Sequence, residues 1–133
     1  MDATPPNSKP QNGKKVLCIE DEHFISELYL RALRKGGYDA KVVIDGHEAL
    51  SEALTGAYDI ILLDIMIPSL TGFEILQKLR GPDAVQLKTK IIVTTNLEQS
   101  EENRAAVEKQ ADGYIVKAEI TPNQLVQFLD QLA

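Results

Sequence analysis

A chain of 133 residues, 44% of them apolar and 26% charged, has the size and composition of one globular domain that needs no metal or disulfide to staple its core. Its formal net charge of −6 argues against nucleic-acid binding, which requires a basic footprint, and no run approaches the roughly 18 apolar residues of a membrane span. Its one cysteine, Cys18, falls in an apolar run as a core thiol would, and the N-terminus lacks a signal-peptide pattern, so a reducing, cytoplasmic setting is expected.

In chain order, residues 1–13, MDATPPNSKPQNG, carry three prolines and few apolar side chains and predict a disordered leader to a folded domain over 14–133. The run VLCI at 16–19 is the first expected strand. Phe24, Leu28, Arg31 and Lys35 then mark successive turns of a helix, with Ile25 and Ala32 widening its apolar stripe and Gly36-Gly37 ending it. A weaker run at 42–44 precedes a stripe of Ala49, Leu50, Ala53 and Leu54. The third strand is IILL at 60–63, followed by Phe73, Leu76, Leu79 and Arg80 and a stop at Gly81-Pro82. The fourth is IIV at 91–93. The helix predicted over about 98–110 has only Ala105, Ala106 and Val107 as apolar members, so it is expected to be lightly anchored. The fifth strand is YIV at 114–116. Thr121-Pro122 then reads as an N-cap with proline at the first helical position, opening a stripe of Leu125, Phe128, Leu129 and Leu132.

Apolar runs without period-2 alternation suit strands covered on both faces. Five strand–helix units in series predict an α/β fold, a doubly wound five-stranded parallel sheet of order 2-1-3-4-5. In such a sheet the crevice lies at the carboxyl ends of the central strands. The residues at those ends are Glu20-Asp21-Glu22, Asp64, Thr94-Thr95-Asn96 and Lys117. An acid at one strand end is ordinary turn chemistry; acids ending two neighbouring strands converge. Clustered carboxylates call for a cation, and a hard divalent ion such as Mg²⁺ takes carboxylate and phosphate oxygens together. A carboxylate nucleophile, a cation site, an ammonium and a hydroxyl are the parts for phosphoryl transfer onto aspartate. His23 and His47 have no nucleophile–base partner, and no GxxxxGK[ST] or GxGxxG loop is present.

At this point the chain resembles the response-regulator receiver family of two-component signalling, with its flavodoxin-like fold, and is closest in layout to chemotaxis-type and stand-alone receivers. The resemblance covers about residues 14–132 and rests on VLCIEDE, DIMIPSLTGFE, IIVTTN and DGYIVKAE. It implies that Asp64 is the phospho-acceptor. It further implies that Asp21, Asp64 and the Met66 backbone carbonyl hold Mg²⁺, or Mn²⁺ in its place, with Glu20 acting indirectly. Thr95 matches the switch hydroxyl, Lys117 the family lysine and Tyr114 the aromatic rotamer switch, the plain alternative for Tyr114 being a half-buried strand tyrosine. Pro68 and Gly72 match the loop that turns into the third helix.

Two positions depart from the family pattern. Ala118 stands where proline commonly follows the lysine with a cis bond. Either the loop is trans and holds Lys117 less rigidly, or a cis bond costs about 2.5–4 kcal/mol. Asn96 replaces a usual alanine or glycine and is expected to narrow access to the phosphate or to contact it. The resemblance implies a signalling switch rather than an enzyme, a sensor histidine kinase as donor, and a downstream protein target or histidine phosphotransfer domain as recipient. With the fifth helix ending near the C-terminus and Asp130 its only charged residue, no effector domain and a monomer or weak dimer are expected. The competing reading is a receiver-fold scaffold that binds partners without phosphorylation. A flavodoxin is disfavoured by three acids where FMN phosphate would sit.

Overall fold

The computed structural model describes residues 13–67, 69–81, 88–96 and 100–132. The elements run β1 (Lys15–Ile19), α1 (His23–Lys35), β2 (Asp39–Val43), α2 (Gly46–Leu54), β3 (Ile60–Asp64), α3 (Gly72–Arg80), β4 (Lys90–Thr95), α4 (Glu101–Glu108), β5 (Gly113–Val116), a 3₁₀ turn (Lys117–Glu119) and α5 (Pro122–Leu132). All strand pairs are parallel, in the order β2-β1-β3-β4-β5, as expected for a doubly wound five-stranded sheet. Residues 1–12 of the expected 1–13 leader, Pro68, Pro82 and the first residues of the helix predicted from 98 lie outside the described residues.

Strand alternation sorts the core into two layers. Leu17, Ile19, Ile61, Leu63, Ile91 and Val93 face α2, α3 and α4 and meet Ala49, Ala53, Ile75, Leu76, Leu79 and Val107. Val16, Cys18, Ile60, Leu62 and Ile92 face the other way, onto Tyr29, Leu33, Leu125 and Leu129 of α1 and α5. Val107 is the only buried residue of α4, so that helix is as lightly anchored as its composition predicts.

Local chemistry sets the element ends. Gly36 caps α1, and Gly37 follows at φ +94°. Thr71 and Glu74 form a reciprocal capping box at the start of α3. Thr121 does the same with Gln124 at α5: Thr121 Oγ1 accepts from the Gln124 amide at 3.1 Å, and Gln124 Oε1 from the Thr121 amide at 2.8 Å.

The stripe expected on α1 is rotated. Ser26, Tyr29 and Leu33 are its buried residues, while Phe24 is 76% exposed and Leu28 also reaches solvent. Ser26 tolerates burial because its hydroxyl donates to the His23 carbonyl at 3.0 Å. On α3, Ile75 takes the buried place expected of Phe73, which is exposed. β2 begins three residues before the expected run and leaves Ile44 exposed beyond its end.

Candidate functional site

Strand register gathers the acids. Ile19 pairs with Leu63 and Asp64 with Thr94, so Glu20 follows β1 at the level where Asp64 ends β3. One ligand oxygen from each of Glu20, Asp21 and Asp64 lies within 4.8 Å of the others. Glu20 and Asp64 are buried, at 1% and 2% exposure, whereas Asp21 is open to solvent. A buried carboxylate pair beside an exposed one is a site reached from outside.

Lys117 enters from the end of β5 and is itself only 7% exposed. Its ammonium donates to Asp64 Oδ2 at 3.0 Å and makes a second, closer bond to Glu20 Oε2. The remaining acceptors are used locally: the Glu22 amide donates to Glu20 Oε1 at 3.2 Å, and the Met66 amide to Asp64 Oδ1 at 3.1 Å. Burial pushes the Glu20 carboxyl up to about 7, against the pull of its hydrogen bond to Lys117. Burial also opposes the Lys117 charge, yet the bonds to Glu20 and the attraction of Asp64 hold the ammonium above its ordinary range. One ammonium does not balance three carboxylates. The surplus of hard oxygen donors at a partly open site fits Mg²⁺.

Among the described residues no peptide bond is cis, so the Lys117–Ala118 bond is trans. Of the two alternatives for Ala118, the strained one is excluded. Rigidity comes instead from the 3₁₀ turn Lys117–Glu119 and from the two carboxylates gripping the ammonium.

Thr95, the last residue of β4, is buried. Val116 pairs with Thr95 and Tyr114 with Val93, so Tyr114 lies on the Thr95 face of the sheet, one step back along it. Its ring is half-exposed and carries the Arg104 guanidinium 4.7 Å from its centroid.

Gly72 starts α3 against the acceptor strand. A Cβ there would stand 2.4 Å from the Asp64 carbonyl oxygen and 2.6 Å from Ile65 Cα, so only glycine fits. Its amide donates to the Ile65 carbonyl at 2.9 Å, closing the loop after β3. Met66 is 72% exposed, and Pro68 lies outside the described residues.

Three contacts escaped the sequence reading. Asn96 Nδ2 donates to Glu22 Oε1 at 2.8 Å. Arg104 caps Tyr114. Asp45 caps α2 through the amides of His47 and Glu48, both at 3.0 Å, and also accepts from Ser69 Oγ at 2.7 Å. The Ser69 bond, aided by the cap, holds the Asp45 carboxyl below its ordinary range. The D-x-x-E spacing of Asp45 and Glu48 is the signal that marks this cap; the reach to Ser69 has no local signal.

A parallel doubly wound sheet with an acidic, lysine-bridged pocket at its carboxyl edge defines a phosphoryl-handling signalling module. Residues 16–130 match the family model of the response regulator receiver domain. The chain is 28% identical to the receiver domain of a Francisella response regulator, at a TM-score of 0.78, covering 90% of this chain and 96% of that one. It is 30% identical to the response regulator TrrA of Thermotoga maritima, solved with Mg²⁺ and BeF, at a TM-score of 0.74, covering 90% and 99%. The response regulator ArlR of Staphylococcus saprophyticus is 35% identical over 103 residues, which are 77% of this chain and 45% of that protein. The chain thus spans less than half the length of the curated relatives it matches. It belongs to the response regulator receiver domain family, a phospho-accepting signalling module whose acidic cluster of Glu20, Asp21 and Asp64 is suited to Mg²⁺. No helix among the described residues is long and apolar enough to cross a membrane.

Proposed function

We propose that Asp64 is the residue that accepts the phosphoryl group, delivered by a sensor histidine kinase or a small phosphodonor. The observation that carries this is the Lys117 ammonium, buried and bonded to both Asp64 and Glu20. A cation held beside a carboxylate nucleophile neutralises charge on the oxygens of the group being transferred.

In this reading an Asp64 carboxylate oxygen attacks phosphorus in line with the leaving group. Lys117 moves its hydrogen bond from the carboxylate toward a phosphoryl oxygen, and the Thr95 hydroxyl donates to another. Asp21, Asp64 and the Met66 carbonyl would hold Mg²⁺, with Glu20 behind them. Bound there, the ion supplies Lewis-acid stabilisation of the transferring oxygens. As Thr95 turns inward, Tyr114 on the same sheet face follows, shifting a two-state balance at the surface of α4, β5 and α5. That surface then meets a downstream protein, or the phosphoryl group passes to a histidine phosphotransfer domain. The 14–133 unit acts in the cytoplasm, as a monomer or weak dimer. The Thermotoga relative, solved with Mg²⁺ and BeF, supports using the same analogue here.

Intact mass after incubation with acetyl phosphate and Mg²⁺, beside Asp64→Asn, tests the assignment. A phosphoryl increment on the parent chain that disappears in D64N is expected. An increment that persists in D64N places the acceptor elsewhere.

A further inference from the structure

Among the described residues, a contact at the carboxyl edge stands outside the proposed chemistry. Asn96 Nδ2 donates to Glu22 Oε1 at 2.8 Å, joining the turn after β4 to the turn after β1. In the sheet, β3 lies between β1 and β4, and neighbouring strands stand about 4.8 Å apart. A bond from the end of β1 to the end of β4 therefore crosses the end of β3, where Asp64 sits.

The Glu22 side chain serves this bond and not its helix. Glu22 is the N-cap residue of α1 and makes no side-chain cap hydrogen bond, glutamate being outside the short side chains that favour that role. Its backbone amide is fixed by Glu20 Oε1, which aims the side chain from a held position. Glu22 and Asn96 are both exposed, while Asp64 is buried. The pair thus lies on the solvent side of the sheet edge at which Asp64 is buried.

We propose that the Glu22–Asn96 pair is a bar across the mouth of the Asp64 pocket that prolongs the aspartyl phosphate by obstructing water. The inference rests on Asp64 being the acceptor. In hydrolysis the water oxygen bonds to phosphorus as the bond from phosphorus to the Asp64 oxygen breaks. The electron pair returns to the carboxylate, and dihydrogen phosphate leaves with both water protons. In-line attack requires the water to arrive opposite the leaving Asp64 oxygen. That approach comes from the solvent side, between the two turns the pair connects.

The test follows decay of the phosphorylated full chain. The protein is loaded with acetyl phosphate and Mg²⁺, freed of donor, and its intact mass is read over time. Asn96→Ala and Glu22→Ala should each lose the phosphoryl group several-fold faster than the parent. The double variant should be no faster than either single, because losing one partner already opens the bar. Glu22→Gln, whose amide oxygen still accepts from Asn96, should decay at close to the parent rate. Equal decay in all chains, additive effects in the double variant, or E22Q decaying as fast as E22A would each overturn the bar. Those results leave the acceptor reading standing. A parent chain that gains no phosphoryl mass removes the acceptor reading, and the bar with it.

Discussion

Lys117 and Asp64 are 53 positions apart in the chain, yet the lysine ammonium stands 3.0 Å from the aspartate carboxylate with both side chains buried. The same ammonium also grips Glu20, so three elements, β1, β3 and β5, end on one hydrogen-bonded knot.

Removing the two kinds of charge should therefore act in opposite senses. Lys117→Met leaves Glu20 and Asp64 buried without their cation and should cost about 3–5 kcal/mol in urea unfolding without divalent metal. Asp64→Asn keeps an acceptor for Lys117 and relieves repulsion with Glu20, so it should be neutral or stabilising. Mg²⁺ should raise the melting temperature of the parent chain, with chelation reversing the rise, and should do so less in D64N. Equal destabilisation by K117M and D64N would contradict this account of the knot.

Gly72→Ala should be disruptive out of proportion to one methyl group. The atoms it meets, the Asp64 carbonyl oxygen at 2.4 Å and Ile65 Cα at 2.6 Å, are backbone and cannot rotate away. A loss of about 1–3 kcal/mol is expected, with slower phosphorylation because the displaced backbone carries the acceptor. Denaturation midpoints and the rate of mass gain check the two effects separately.

Tyr38 gives the protein an alkaline limit. Its buried hydroxyl donates to Asp130 Oδ1 at 2.7 Å, and burial together with that bond pushes its pKa well up; burial moves Tyr29 to about 12. A phenol whose folded pKa exceeds its unfolded value of about 10 stabilises the fold fully below pH 10 and loses that contribution as pH rises above it. Tyr38→Phe should cost about 1 kcal/mol at pH 8, and the gap to the parent chain should shrink above pH 10. A gap that stays constant to pH 11.5 in urea midpoints would exclude this coupling.

Cys18 should be chemically silent in the native protein. It is buried in β1, and burial, with Glu20 nearby, pushes its thiol up to about 12. Because the thiolate is the nucleophile, labelling by an aromatic disulfide reagent at pH 8 should wait for unfolding and follow the urea transition. Fast labelling in native buffer would reveal a local opening of β1.

The site was legible in the sequence to the extent that strand ends were. Each apolar run is closed by a polar residue, and a parallel sheet places those residues on one edge. Strand ends alone pointed to Glu20, Asp64, the trio Thr94-Thr95-Asn96 and Lys117, while the choice of Thr95 within the trio came from the family resemblance. Which face of α1 turns inward was not legible. Phe24 is the more apolar residue, but Ser26, with its hydroxyl satisfied at the His23 carbonyl, takes the buried place. Apolarity alone does not register that satisfaction. Contacts between turns, Asn96 with Glu22 and Asp45 with Ser69, leave no periodic trace because each partner is set by the sheet order and not by its neighbours. At Ala118 composition left cis and trans both open, and only the backbone decided.

The Arg104 contact with Tyr114 makes the chain its own optical reporter. The sequence has four tyrosines and no tryptophan; Tyr29 and Tyr38 are buried on the α1–α5 side of the sheet, and Tyr58 is tied to Glu52 at 2.9 Å. Tyr114 alone among them lies under a guanidinium on α4. Any inward turn of its ring changes the asymmetric field around one chromophore while the other three stay in place. Near-ultraviolet circular dichroism of the unlabelled protein, with Tyr114→Phe as the blank, would then follow the switch without a dye or an added tryptophan.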